Sequence, residues 1–167
     1  MSTVKDCIAR KSGQVFSLPS GASVLEALQM MRENRIRAVL VVDDGALVGI
    51  ISQGDCAIRV LLPGREAGAT RISEIMTRDP LTVAPQHTID HCMKVMMTRS
   101  IRHLPVIEAG RVTGMVSIGD VVARRIMTGL DGTMGRNTLQ AVGEATAAVA
   151  GWSTERLAQE TAGYLAY

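Results

Sequence analysis

The sequence predicts an α/β (α+β) fold: two tandem β-α-β-β-α units packed sheet to sheet with pseudo-two-fold symmetry, plus a C-terminal helical tail. The first observation is a repeat, because Gly114–Asp120 reproduces the pattern of Gly49–Asp55 at a shift of 65 residues (114 − 49). A repeat at a fixed spacing indicates duplication of one structural unit. The second observation is a set of β-branched apolar runs joined by short polar turns, which is typical of strand pairs. One such unit is too small to cover its own sheet, so we expect the two sheets to bury each other.

The elements of the first unit, residues 7–62, follow from local signals. Ser23 and Glu26 form a capping box that begins a helix. Asp43-Asp44-Gly45 is a hairpin turn signal between two apolar runs. The predicted elements are a short strand at 15–18, a helix at 23–34, strands at 37–42 and 46–51, and a helix at 52–62.

The second unit, residues 72–127, follows a linker at 63–71 that is rich in Pro and Gly. Its predicted elements are a helical turn at 72–76, a short strand at 80–83, a helix at 88–100, strands at 102–107 and 111–117, and a helix ending near 127. The repeat stops there. Residues 128–167 have no copy upstream, and we expect them to be a partly helical appendage.

Composition excludes several classes of function. The net charge of +2 is too small for a nucleic-acid footprint, and aromatic residues make up only 2% of the chain, too few for base stacking. No apolar run is long enough for a membrane span, and the first ten residues lack the apolar core of a signal peptide. The three cysteines form no CxxC pair, which argues against a zinc site and predicts buried thiols in a reducing cytoplasm.

The repeated sequence contains an S-x-x-D motif, formed by Ser52 with Asp55 and by Ser117 with Asp120. One interpretation is purely structural, because this spacing makes a capping box at a helix N-terminus. The other is functional, because a carboxylate at the mouth of a cleft can accept hydrogen bonds from two neighbouring hydroxyls, such as a ribose diol. Both interpretations remain open for the serines. The repeated Asp, where Glu is the usual partner, favours a ligand.

Basic residues begin the strand before each motif: Arg37 in the first unit, and Arg102 with His103 in the second. A guanidinium at this position can hold a phosphate, and the adjacent helix N-terminus offers backbone N–H groups to the same anion. Ser17 and Thr82 on the short strands are candidates for further hydroxyl contacts. We therefore expect a pocket that binds both a sugar diol and a phosphate.

Two alternatives receive less support. His87 and His91 are spaced like metal ligands on one helix face, but no third ligand is near in sequence. The chain has no phosphate-binding P-loop, dinucleotide-binding or nucleophile-elbow motif, and a hydrolase using Ser117 would need His103 beside that hydroxyl. The sequence therefore predicts no metal, no required cofactor and no enzymatic activity.

The repeated Gly-x-(Ile/Val)-Ser-x-Gly-Asp sequence, preceded in the second unit by Ile-Arg-His-Leu-Pro-Val-Ile at 101–107, resembles the CBS domain. These domains, named for cystathionine β-synthase, occur in tandem pairs called Bateman modules. The resemblance covers residues 7–127 and is specific because the order of elements recurs twice. It implies two clefts per module and an adenosine-containing ligand: AMP, ADP, ATP, NAD or S-adenosylmethionine.

The resemblance also assigns roles to residues. It implies that Asp55 and Asp120 bind ribose, that Ser52 and Ser117 add hydroxyl contacts, and that the basic residues face the phosphate. The first unit departs from the pattern at Ala38 and Leu40, where the second has His103 and Pro105. The predicted ligand-binding residues are Ser17, Arg37, Ser52, Asp55, Thr82, Arg102, His103, Pro105, Ser117 and Asp120.

The sequence also predicts a partner. Five methionines on the two equivalent helices exceed the need of a thin core, which favours a helix-mediated homodimer, as CBS pairs commonly form. They are Met30, Met31, Met93, Met96 and Met97. The leading hypothesis is a stand-alone cytoplasmic regulatory module that senses an adenine nucleotide and signals to an effector protein, with no nucleic acid or membrane involved. The alternative is a docking scaffold whose clefts stay empty.

Overall fold

The fold is described from a computed structural model, which covers residues 2–9, 11 and 14–130. Backbone contacts divide the chain into two compact units, residues 1–121 and 122–167. Both repeats up to Val121 lie in the first unit. Residues 122–130, which are the described part of the second unit, belong to the last helix. The predicted appendage beyond residue 130 lies outside the described residues. Across the described part of the chain, no helix has the length and apolarity that a bilayer crossing requires.

The two repeats have the same order of elements. The helices are α1 (Val4–Ile8), α2 (Val24–Glu33), α3 (Gln53–Cys56), α4 (Ile72–Ile75), α5 (Ile89–Arg99) and α6 (Ile118–Leu130). The strands are β1 (Ser17–Leu18), β2 (Ala38–Asp43), β3 (Ala46–Ser52), β4 (Thr77–Arg78), β5 (His103–Glu108) and β6 (Arg111–Ser117). Helix α3 continues into a π-helical segment, Ala57–Leu61, which is closed by a bond from Leu62 N–H to the Ala57 carbonyl (2.9 Å).

Each repeat contributes an antiparallel strand pair to a mixed α/β fold, as the sequence predicts. In the first repeat the sheet order is β1-β2-β3-β4, with β1 parallel to β2. In the second, β5 pairs with β6 alone. Strand β3 lies against β6, so the two sheets share one interface. The central strand residues Ala38–Val41 are almost fully buried, as expected for a β-branched strand covered on both faces.

The two repeats exchange their leading helices. Val4 and Cys7 of α1 belong to the core of the second repeat, whereas Ile72 and Ile75 of α4 belong to the core of the first. The backbone follows the same exchange: the Val4 N–H donates to the His87 carbonyl (2.9 Å), and the Ile72 N–H donates to the Ala22 carbonyl (2.8 Å). Each core is therefore complete only when the other repeat is present.

The second repeat lacks the short strand expected at 80–83 and keeps only a single bridge between Val83 and Val106. In the first repeat, the Leu40 N–H donates to the Phe16 carbonyl (3.1 Å) and extends the parallel pairing. The equivalent residue is Pro105, which has no N–H to donate. The missing donor explains why this strand is reduced to one bridge.

The segment expected to be a linker is hydrogen-bonded to the first repeat. The Leu25 N–H donates to the Ala67 carbonyl (3.1 Å), and the Val24 N–H donates to the Thr70 carbonyl (2.9 Å). Thr70 is itself buried. The connection therefore satisfies the first turn of α2, whose N–H groups have no partner within the helix.

The methionines do not form the exposed surface that the sequence led us to expect. Met31 and Met96 are buried in the two cores, Met30 and Met93 are half-buried, and only Met97 of the five is exposed, at 72%. The helix register explains this, because the buried positions face the sheets. The three cysteines are free and buried, and burial raises the pKa of Cys56 and of Cys92 to about 11.

Candidate functional site

Strand pairing places the basic residues beside the S-x-x-D motifs in both repeats. Ala38 pairs with Ser52, and His103 pairs with Ser117. In addition, the Gln53 N–H donates to the Arg37 carbonyl (3.1 Å), and the Ile118 N–H donates to the Arg102 carbonyl (2.8 Å). The start of one strand and the end of its partner therefore meet at a helix N-terminus in each repeat.

Both motifs form complete capping boxes. In the first, Asp55 Oδ2 accepts from the Ser52 N–H (2.9 Å) and hydroxyl (2.6 Å), while Ser52 Oγ accepts from the Asp55 N–H (3.3 Å). In the second, Asp120 Oδ2 accepts from the Ser117 N–H (2.7 Å) and hydroxyl (2.6 Å). The capping boxes predicted at Ser52 and Ser117 are thus confirmed, and a ligand contact from either hydroxyl stays a prediction. The caps also fix each carboxylate in one orientation at the helix N-terminus.

The second carboxylate has an additional partner that the sequence did not predict. Lys11 Nζ lies 2.5 Å from Asp120 Oδ2 and donates a further bond to the Met115 carbonyl (2.9 Å). Burial raises the pKa of Asp120, but the hydrogen bonds from Lys11 and Ser117 outweigh it and hold the pKa below its usual value. The pair is partly exposed, with 41% of the lysine side chain and 21% of the aspartate side chain accessible.

A signal for Lys11 was present in the sequence. Asp6 Oδ2 accepts from the Thr3 N–H (2.8 Å) and Glu74 Oε1 accepts from the Arg71 N–H (2.9 Å), and these two pairs align at a shift of 68 residues (71 − 3), not 65. Ser17 therefore follows Thr3 by 14 residues (17 − 3), whereas its equivalent Thr82 follows Arg71 by 11 (82 − 71), so the segment before β1 is three residues longer than its counterpart. Lys11 lies in this longer segment.

Charged residues from both repeats act electrostatically on His103. Burial and then the positive charge of Arg102 lower the pKa of His103, Lys11 and Arg37 act in the same direction, and Asp120 opposes them. His103 is half-buried, so these charges act through a medium that screens them less than bulk water does. Three cations and one carboxylate thus form a charged cluster that acts on this imidazole, a balance of charge suited to an anion.

The remaining predicted site residues lie elsewhere. Ser17 lines an open cleft of about 550 Å³ between the β2–β3 turn and the start of β6, and neither motif carboxylate lines that cleft. Thr82 is exposed before the Val83 bridge. Pro105 is buried, and its carbonyl accepts from the Val83 N–H (2.9 Å). The structure thus groups the basic residues with the motifs but places Ser17 in the wall of a cleft that neither motif carboxylate lines.

The structure supports neither the metal site at His87 and His91 nor the hydrolase using Ser117. The rings of His87 and His91 lie 4.6 Å apart, but His87 Nδ1 accepts from the Ala84 N–H (3.1 Å). Within the ranges that the structure describes, no three His, Cys, Asp or Glu side chains form a metal-binding cluster. The Ser117 hydroxyl donates to Asp120 rather than to an imidazole, which differs from an activated nucleophile.

Comparison with known proteins agrees with this architecture. The chain is 29% identical over 126 residues to the CBS domain-containing protein YhcV of Bacillus subtilis (strain 168), covering 75% of this chain and 87% of that protein. It is 37% identical over 105 residues to the mitochondrial CBS domain-containing protein CBSX3 of Arabidopsis thaliana, covering 60% of this chain and about half (51%) of that protein.

A solved structure shows the same fold. It is the CBS domain pair of protein MJ0100 in complex with 5′-methylthioadenosine and S-adenosyl-L-methionine, with 30% sequence identity and a TM-score of 0.67, covering 77% of this chain and 98% of that chain. The profile of the CBS domain matches residues 4–61 and 72–126, which is more than half of the sequence. The chain therefore belongs to the CBS-domain family, with two CBS repeats in tandem.

Proposed function

We propose that this protein is a regulatory CBS pair that binds an adenosine-containing nucleotide (AMP, ADP, ATP or NAD) and passes the bound state to another protein. The observation that carries the proposal is the Lys11–Asp120 ion pair, which together with Arg37 and Arg102 acts on His103, so that this charged cluster draws on both repeats. The relative crystallised with 5′-methylthioadenosine and S-adenosyl-L-methionine supports an adenosine ligand.

The chemistry of the cluster fits the two ends of a nucleotide. A capped carboxylate, Asp55 or Asp120, accepts hydrogen bonds from a ribose diol. The guanidinium groups of Arg37 and Arg102 pair with phosphate oxygens, which Arg recognises through a planar fork of donors. Both motifs lie at the N-terminus of a helix, where the backbone dipole favours an anion. Binding and regulation, rather than a reaction, follow from these roles.

Calorimetry tests the assignment of the carboxylates. AMP, ATP, NAD and S-adenosylmethionine would be titrated into wild type, Asp55→Asn and Asp120→Asn. We expect each substitution to weaken binding about ten- to a hundred-fold at its own site, because a charged hydrogen-bond acceptor is lost. Glu26→Gln is the matched control, since Glu26 occupies the same capping position on α2. Unchanged affinity in both Asp variants would remove these residues from the site.

One observation favours a second function, a docking scaffold without a nucleotide. Lys11 already pairs with Asp120, so that carboxylate is satisfied in the free protein. The scaffold hypothesis predicts no thermal shift with any adenosine compound. Binding at a ligand concentration of 100 Kd would stabilise the protein by about 2.7 kcal/mol, a shift that is readily measured.

We also propose that the protein forms a homodimer, though through different residues from those predicted. Exposed apolar side chains cluster on the π-helical segment and just after it: Ile58, Leu61 and Leu62. Contiguous apolar surface of this kind marks an interaction site more often than scattered residues do. Analytical ultracentrifugation of wild type and Leu62→Lys tests this: wild type should sediment as a dimer and the variant as a monomer. A monomeric wild type would contradict it.

A further inference from the structure

The two motif carboxylates are not equivalent, although their sequences and caps are. Asp120 Oδ2 accepts from three donors among the described residues: the Ser117 N–H, the Ser117 hydroxyl and the Lys11 ammonium. Within the described part of the chain, Asp55 Oδ2 accepts only from the N–H and hydroxyl of Ser52. The lysine is therefore a third donor to Asp120 Oδ2, and a ribose diol that approaches this oxygen must compete with the ammonium.

The cation nearest Asp55 is differently placed. Arg59 Nε lies 3.9 Å from Asp55 Oδ1, beyond hydrogen-bond distance. The Nη1 atom of the same guanidinium donates to the Ile75 carbonyl (2.9 Å), so it holds α4 against the helix that follows the first motif. Arg59 thus has a structural role, because its guanidinium bonds to the backbone of α4. Among the described residues, Lys11 by contrast bonds only to Asp120 and one carbonyl, and its side chain is 41% accessible.

Lys11 also acts on His103 together with other positive charges. Arg37, Arg102 and Lys11 all act on His103 with the same sign. Asp120 is the one carboxylate that acts on His103 in the opposite direction. A ligand that takes Asp120 from Lys11 without supplying another anion leaves these cations uncompensated. A ligand with a phosphate supplies the anion.

We propose that Lys11 makes the Asp120 pocket selective for phosphorylated adenosine ligands over uncharged nucleosides. The proposal rests on the proposed nucleotide binding and adds a specificity-determining residue to it. A nucleoside must compete with the ammonium for Asp120 and carries no anion that the displaced Lys11 could bind. A nucleotide releases Lys11 from Asp120 onto its phosphate, so that the lysine exchanges one anionic partner for another. Lys11 lies in the longer segment before β1. The shorter segment between α4 and Val83 in the second repeat contains no equivalent lysine.

The test is a comparison of AMP with adenosine by calorimetry, carried out in an Asp55→Asn background so that binding reports on the Asp120 pocket. Lys11→Met removes the ammonium and keeps the length of the side chain. We expect this variant to bind adenosine more tightly and AMP more weakly, so that the AMP-to-adenosine affinity ratio falls about tenfold or more, the size of one well-placed charge interaction. Lys11→Arg keeps the charge and should keep most of the ratio.

Lys5→Met is the matched control, because Lys5 is an exposed lysine on α1 and its removal changes the net charge equally. It should leave the ratio unchanged. If Lys11→Met and Lys5→Met give the same ratio as the parent while AMP still binds, the role of Lys11 is overturned and nucleotide binding stands. If no variant binds either compound, both proposals fail. Adenosine binding that appears only in Lys11→Met would support the role of Lys11 directly.

Discussion

Gly49 on β3 lies under Met76 at the end of α4, so closely that a Cβ atom on Gly49 would stand 2.6 Å from Met76 Sδ and 3.0 Å from the Thr77 carbonyl oxygen. The equivalent glycine of the second repeat, Gly114, faces Ile8 of α1 at 3.3 Å. Both glycines let the exchanged helix of the other repeat approach the sheet. The exchange therefore depends on the absence of a side chain at one position of each repeat.

Gly49→Ala should destabilise the protein by about 1–3 kcal/mol, because the added methyl overpacks a contact that includes backbone. Gly114→Ala should cost less, since the Ile8 side chain needs to move only a few tenths of an ångström. Gly21→Ala, with no atom within 4 Å of the added Cβ, is the control and should have little effect. Urea unfolding gives the order of the three variants in free energy of unfolding. An unchanged value for Gly49→Ala would contradict the close approach.

The capping serines allow the two interpretations of the S-x-x-D motif to be separated. Ser52→Ala and Ser117→Ala should each lower the free energy of unfolding by about 1 kcal/mol, since each removes an N-cap acceptor. Ser23→Ala removes the same kind of cap from α2, away from both motifs. If the motif serines also hold a ligand, only the first two variants lose nucleotide affinity. Equal affinity in all three would limit these serines to capping.

Much of this architecture follows from the sequence because the repeat supplies a register. The shift of 65 residues aligns Ala38 with His103 and Ser52 with Ser117, and strand pairing then brings each basic residue to its motif. The buried strand at 38–41 could be predicted because only a strand covered on both faces is continuously apolar.

The exchange of helices and the role of Lys11 could not be predicted in the same way. They depend on a change of shift from 65 to 68 in a segment of short, weakly patterned helices. The pairing of β4 with β3 depends on the same exchange, since Thr77 and Arg78 follow α4 onto the first repeat. Long-range packing of this kind leaves no local periodicity in the sequence.

Two adjacent methionines on α5 lie in different environments, one in the core and one on the surface. Met96 is 2% exposed and Met97 is 72% exposed. Met96→Ala should destabilise the protein by about 2–5 kcal/mol, because it leaves a cavity in the second core. Met97→Ala should change the free energy of unfolding by less than about 0.5 kcal/mol. Thermal or urea unfolding measures both values. A large cost at Met97 in the isolated monomer would contradict its placement.

His103 should couple nucleotide binding to pH. Its pKa in the free protein is lowered by burial and by Arg102, Lys11 and Arg37, so the imidazole is neutral at pH 7. A phosphate among these cations would raise that pKa, because a nearby anion favours the charged imidazolium. At pH values between the lowered pKa of the free protein and the raised pKa of the complex, binding is accompanied by proton uptake. Affinity should therefore increase as the pH falls from 8 towards 6.

Calorimetry of AMP binding in two buffers of different ionisation enthalpy measures this proton uptake directly. His103→Gln should abolish the protein's share of the uptake, while the titration of the ligand's own phosphate stays the same in both proteins. Folding has the opposite pH dependence: because the pKa of His103 is lowered in the folded protein, the unfolded chain binds the proton more tightly, and stability is lost as the pH falls through the folded pKa. His91→Gln, which changes an exposed imidazole on α5, is the control. Equal proton uptake in wild type and His103→Gln would place the phosphate away from this cluster.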